Sequence, residues 1–292
     1  MDAGLLLLER LSNKDLALLA EAAGELGPQA QRDARLRVEP ARIEALLAEP
    51  AVFAALFEQT REDPLALAGP FVAFAVLLAH APALLDGLAF VPEPAGGRRR
   101  VPVFEIESLR GFVADPLRRL FLADLLASYT HVASGPLWVK GARGWRHRRF
   151  SELDPAQFAQ LILSVPSDQR LALYRRLGDL SLFLSGVFPD HLEERPLPPL
   201  AVERLRRAVG GERPAGAPLP EPGVDGLGGT GFLEWVGRRS YSLAWRATGY
   251  SELGYARVLG DAAERFRHAR LVLTVLTDRY LFRQREQWFP LT

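Results

Sequence analysis

Leu177-Gly178-Asp179-Leu180-Ser181-Leu182-Phe183-Leu184-Ser185-Gly186-Val187-Phe188-Pro189 is the stretch whose reading decides the fold. Its one charge is Asp179. At helical spacing Gly178, Ser181 and Ser185 share a side, three and four residues apart, so a second helix can approach closely there. Asp179 falls on the adjacent side with Leu182, Phe183 and Gly186. A helix apolar nearly all round belongs in a core, and a carboxylate inside it is either paired or perturbed. The local partners are Arg175 and Arg176, one turn back. The expectation is a structural ion pair within tight helix packing.

Upstream, Leu120-Phe121-Leu122-Ala123-Asp124-Leu125-Leu126-Ala127-Ser128-Tyr129-Thr130-His131 reads as a second central helix. Asp124, Ser128 and His131 recur at four and three, on one face. A polar stripe in a buried helix either lines a pocket or fixes helix register through hydrogen bonds. The candidate pocket comprises Asp124, Ser128, Tyr129, His131, Arg176 and Asp179.

Working outward, helices are predicted over 15–26 with Asp15 as cap, and over 40–48, 50–59, 64–79, 115–129, 154–164, 167–187, 202–209, 232–248, 251–259 and 261–284. Asp115-Pro116 and Asp154-Pro155 are cap-and-proline starts. In the last helix Ala262, Phe266, Ala269, Leu273, Leu276 and Tyr280 fall on one face. Residues 88–106 and 137–150 read as β-hairpins around Gly96-Gly97 and Gly141–Gly144. The fold class is thus mainly α: an irregular helical bundle with one or two small hairpins. Residues 1–209 form its core. Residues 210–231, with eight Gly and four Pro, form a flexible linker. The stretch 232–292 is marginal for a core of its own and is expected to dock on the rest as one structural unit. No repeat at a fixed period is found.

Composition narrows the function classes. The 36 basic residues nearly balance the 35 acidic ones, which argues against nucleic acid as the main partner. Lys14 and Lys140 are the only lysines; arginine, alanine, glycine and proline usage reads as the coding bias of a GC-rich bacterial genome. Absence of cysteine removes disulfides, thiolate metal sites and a cysteine nucleophile, and fits a reducing cytoplasm. Residues 65–85 are long enough to span a bilayer, yet contain Pro70, His80 and Pro82 and lack basic flanks. They are read as core helix and turn.

The motifs of zinc proteases, P-loops, dinucleotide folds and serine hydrolases are absent. Asp261, Glu264 and His268 share a helix side, but no Glu-x-x-His pair supports a di-metal site, and no metal or cofactor is expected. The hairpin residues Trp138, Lys140, Arg143, Trp145, Arg146, Arg148 and Arg149 form a candidate interaction surface, to which Arg98–Arg100 could add. Aromatics between arginines can stack on bases, or simply pack inward while the arginines pair elsewhere. Tyr241, Trp245, Tyr250 and Tyr255 are expected to anchor the core.

Residues 178–188, preceded by Leu122-Ala123-Asp124-Leu125-Leu126 and followed by a Tyr- and Gly-rich helix near 241–255, resemble a bacterial family of uncharacterised helical proteins. Members of that family carry Tyr-Leu-x-Asn-Leu-Leu, then Gly-Asp-x-Ser-Leu-Phe/Tyr-x-Ser-Gly-Phe-Phe, then Met-Gly-x-x-Ala-Tyr. The likeness covers residues 115–285, with Asp124 where the family has Asn. It implies one helical unit interrupted by the linker, and nothing about chemistry.

The functional expectation is a non-enzymatic cytoplasmic binding protein, for a protein partner or a small ligand, since no catalytic constellation survives inspection. The alternative is an all-α enzyme or cofactor binder with its pocket at Asp124, His131 and Asp179. A weaker one is nucleic-acid binding through the Trp/Arg-rich hairpin.

Overall fold

The computed structural model describes residues 3–24, 28, 36, 38–58, 63–95, 99–132, 134–141, 144–210, 228–251, 254–282 and 284–289; at 134–141, 144–150 and Tyr255 it describes the backbone alone. The chain is mainly helical. Helices α1 (Ala3–Arg10), α2 (Asn13–Ala22), α3 (Pro40–Leu47) and α4 (Pro50–Phe53, continued by a π turn) come first. Helices α5 (Pro64–Leu67), α6 (Pro70–Ala79) and α7 (Ala81–Asp86) lead into a hairpin of β1 (Val91–Pro94) and β2 (Arg100–Val103). Helices α8 (Ile106–Val113) and α9 (Pro116–Ser128) precede a second hairpin, β3 (Ser134–Gly141) and β4 (Gly144–Ser151). Then follow α10 (Pro155–Ser164), α11 (Leu171–Val187), α12 (Pro189–Glu194), α13 (Pro199–Gly210), α14 (Gly229–Ala247), α15 (Gly254–Glu264), α16 (Phe266–Leu276) and α17 (Arg285–Trp288). Both hairpins are antiparallel and two-stranded.

Local chemistry sets the helix starts. Asp63, Asp115 and Asp154 each precede a proline and each accept the backbone N–H two residues on, at 2.8–2.9 Å. The carboxylate satisfies an orphan donor, and the proline occupies a position whose N–H has no partner anyway. Asp15 does not begin its helix. Ser12 is the N-cap, and Asp15 sits three residues in, accepting from the Ser12 backbone at 2.9 Å in a capping box.

Helix α11 lies at the centre, with α14 and α16 against it. The small residues do what their spacing implied. A Cβ on Gly178 would lie 2.6 Å from the Tyr241 ring, and one on Gly237 would lie 2.2 Å from Phe266 and 3.0 Å from Ser181. A Cβ on Gly186 would meet Leu273 at 2.8 Å. The buried apolar cluster runs from Leu7 to Phe289 and includes side chains of α14 to α16.

Several boundaries differ from the sequence expectation. The 64–79 helix is broken at Ala68 and Gly69, both extended, because a residue before proline avoids the α region and Pro70 has no N–H to continue the ladder. The 261–284 helix is broken at Arg265, where no glycine or proline announces it. Helix α8 has a clear apolar face, burying Ile106, Leu109, Phe112 and Val113, and lies where only the end of a hairpin was foreseen. Of the 210–231 segment, 211–227 fall outside the described residues, while Gly229–Gly231 open α14. Among the described residues no helix is long and apolar enough to cross a membrane.

Candidate functional site

Two concavities collect polar side chains. The smaller, of about 260 Å³, lies between α9 and α11 and is lined by Asp124, Ser128, Arg175, Arg176 and Asp179 over Phe121, Leu125 and Ala172. Asp179 is 8% exposed. Its Oδ1 accepts from the Tyr241 hydroxyl at 2.8 Å, while its Oδ2 is 3.9 Å from Arg175 Nε. The expected arginine pair is therefore present but long; the short bond comes from a residue 62 positions away. Asp124 pairs with Arg10 at 3.1 Å and with Arg175 at 3.8 Å. Burial pushes the Asp179 carboxyl up to about 6, against the opposing pull of Arg175, the Tyr241 hydroxyl and Arg176.

Arg176 donates to Ser128 Oγ at 2.9 Å and lies 4.2 Å over the Tyr129 ring. Tyr129 is fully buried and stacks on Phe183 at 4.2 Å. It thus forms the floor beneath Arg176 and not a wall of the cleft. His131 does not join. Helix α9 ends at Ser128 with Tyr129 as C-cap, so residue 131 has left the helical register that placed it beside Asp124. It is exposed, with Nδ1 3.0 Å from the Thr130 hydroxyl. The pairing of a carboxylate with histidine required by an acid–base reading is not formed.

The larger concavity, about 990 Å³, is a groove that the sequence reading missed. One wall is the face of α14 from Gly231 through Glu234, Trp235, Arg238 and Ser242 to Trp245. The other is Gly260 to Arg270, on α15 and α16, with Glu93 of β1 closing one end. An ion network holds that end together. Glu93 receives hydrogen bonds from Arg270 and, at 2.7 Å, from Arg267. Arg267 also reaches Glu105 at 2.8 Å, and Arg270 Nε reaches Glu234 at 3.0 Å. Burial raises the Glu93 carboxyl, but the bonds and charges of Arg267 and Arg270 outweigh it and leave it below the ordinary carboxylate range. Those same bonds to Glu93 lead in raising Arg267.

Not every donor is used. Arg270 is 2% exposed, and its Nη1 is buried without a hydrogen-bond partner; so is the Thr230 hydroxyl at the start of α14. Arg238 and Arg239 each give Nε to a backbone carbonyl, Ala263 at 3.2 Å and Val209 at 3.1 Å. Neither has a carboxylate partner among the described residues. Each guanidinium is tethered through Nε, and its terminal nitrogens bond no carboxylate among the described residues. The sequence signal existed in principle, since Glu234, Arg238, Ser242 and Trp245 recur at four, four and three, but the opposite wall is not legible from one helix.

The hairpin surface is divided by its register. Trp138 pairs with His147 and Lys140 with Trp145, while Val139 pairs with Arg146, Leu137 with Arg148 and Pro136 with Arg149. Cross-strand partners share a face and neighbours alternate. Trp138, Lys140, Trp145 and Arg149 therefore belong to one face and Arg146 and Arg148 to the other, with Leu137 and Val139. By strand register the six described residues of that expected surface divide four and two between the faces, and Arg143 lies outside the described residues. Arg100 does not extend that surface: it bonds Asp190 and Asp278, each at 2.6 Å. Asp261 is held by Arg118 at 2.9 Å and Arg257 at 3.2 Å, and His268 faces Glu105 at 3.6 Å. Among the described residues no group of three metal-ligating side chains gathers. Tyr241 is buried as a core anchor, but Trp245 is half-buried and Tyr250 half-exposed on a turn, with φ of 55°.

No protein-family model matches the chain, and neither curated proteins nor solved structures give a match.

Proposed function

We propose that the protein is a non-enzymatic binding protein and that its small ligand lies in the α14–α16 groove. The observation that carries this reading is the pair of buried, unused donors on the groove's residues, Thr230 Oγ1 and Arg270 Nη1. A buried donor without an acceptor costs about 1–3 kcal/mol, and a side-chain rotation that turns it to an acceptor on the ligand removes that cost. The volume supports it: ligand sites run to roughly 300–1,000 Å³. So does the lining, which sets two tryptophans beside guanidiniums fixed through Nε.

The test uses 1-anilinonaphthalene-8-sulfonate, an aromatic anion, as probe. Titrated into the full chain, it should saturate at one molecule per chain with energy transfer from tryptophan. Arg238→Gln with Arg239→Gln should weaken binding about tenfold, the loss of one charge-assisted contact, with the circular dichroism spectrum unchanged. Unsaturable binding, or equal affinity in the double variant, overturns the proposal.

A further inference from the structure

We infer that the ligand of this groove is a short linear peptide with free ends, three or four residues long. This deepens the binding reading above and rests on it. The groove is electrically divided along α14. Around its first turns stand Glu93, Glu193 and Glu234 against Arg267 and Arg270, an excess of one negative charge. Farther along stand Arg238 and Arg239 against Glu264, an excess of one positive charge. A simple anion would meet the wrong sign at the first end, and a simple cation at the second. A molecule with both charges satisfies both ends.

The spacing selects its length. Thr230 and Arg238 are eight residues apart, which is about 12 Å of helix rise. An extended peptide covers about 3.3–3.6 Å per residue, so three or four residues put an ammonium beside Glu193 and a carboxylate at the Arg238–Arg239 tips. Both unused donors belong to the first end: Thr230 stands on the opening turn of α14, and Arg270 on the facing wall. Glu234 is one turn from Thr230 and holds Arg270 Nε at 3.0 Å. Both need acceptors, and peptide carbonyls are acceptors. Trp235 supplies an apolar wall for a side chain.

Isothermal titration of the full chain with tetraalanine, N-acetyl-tetraalanine and tetraalanine amide tests the inference. The free peptide should bind one to one, and each blocked form at least about tenfold more weakly, as expected for a lost charge-assisted contact. Glu193→Gln keeps the acceptor that Thr230 N–H uses at 3.0 Å and should weaken the free peptide but not the acetylated one. Arg239→Gln should weaken the free peptide but not the amide. Equal affinity for free and blocked peptides overturns the inference, as does no binding at about 1 mM. The sulfonate titration separates the two levels: if it finds the groove while peptides do not bind, the peptide falls and the binding reading stands; if it fails too, both fall.

Discussion

Protonation of Asp179 couples folding to pH. Its carboxyl titrates near 6 in the folded chain, against 3.8 for a free carboxyl. Between those values the folded state binds the proton more tightly than the unfolded state does. Stability is therefore highest at the acid side of the window, falls as pH rises through it, and levels off above about 6. The Tyr241 hydroxyl, Arg175 and Arg176 reduce this cost, and Asp124 adds to it. Asp179→Asn keeps an acceptor for Tyr241 and removes the charge. At pH 8 it should raise unfolding free energy by up to roughly 3 kcal/mol, with little change near pH 4. Urea titrations at both pH values check this; a variant less stable than wild type at pH 8 would show that the Arg175 pair outweighs burial. The sequence made the carboxylate conspicuous because it stood alone among apolar neighbours. It could not supply Tyr241, whose position depends on how α14 lies across α11.

At the scale of elements, glycine tests whether small residues set the helix spacing. Gly237 and Gly111 both lie inside helices. A Cβ at Gly237 would collide with Phe266 and press on Ser181, whereas one at Gly111 meets nothing within 4 Å. Gly237→Ala should cost about 1–3 kcal/mol through overpacking, and Gly111→Ala should gain about 0.5–1 kcal/mol from helix propensity. Thermal unfolding of both variants reads the contrast; equal shifts would mean that α11, α14 and α16 have slack. The same scale shows why some elements were legible. Asp-Pro starts and the Gly178/Ser181/Ser185 spacing are local, and they predicted what formed. The break at Arg265 is not local. Phe266 is fully buried against Tyr241 and Gly237, and no residue near 265 encodes that demand. His131 failed for a related reason: a helical spacing holds only while the helix lasts.

Across the whole molecule, Glu93 ties the first hairpin to α16 through Arg267 and Arg270, about 175 positions away in sequence. Arg270 is buried, so removing its partner leaves a guanidinium in the interior with Glu234 alone. Glu93→Ala should cost about 2–4 kcal/mol, slightly below the range for a buried pair stripped of all partners. Arg270→Met in the same background should recover part of that loss, and a double-mutant cycle measures the coupling. A loss under about 1 kcal/mol would show that the network is decorative. Charge counting along the sequence could not foresee it, because a near-neutral composition says nothing of which acid meets which base.

Among the described residues, eight helices open on a proline, at positions 40, 50, 64, 70, 116, 155, 189 and 199. A proline there blocks extension of the helix backwards, so each rod has a stop at its leading edge that tertiary contacts did not have to impose. Lengthening any of these rods by point mutation means first erasing its stop. Pro70→Ala would permit α5 and α6 to fuse and throw every later side chain of one of them out of phase with its neighbours. Variation is thereby steered toward the joints and the trailing edges, where a rod can change length without rotating what it carries.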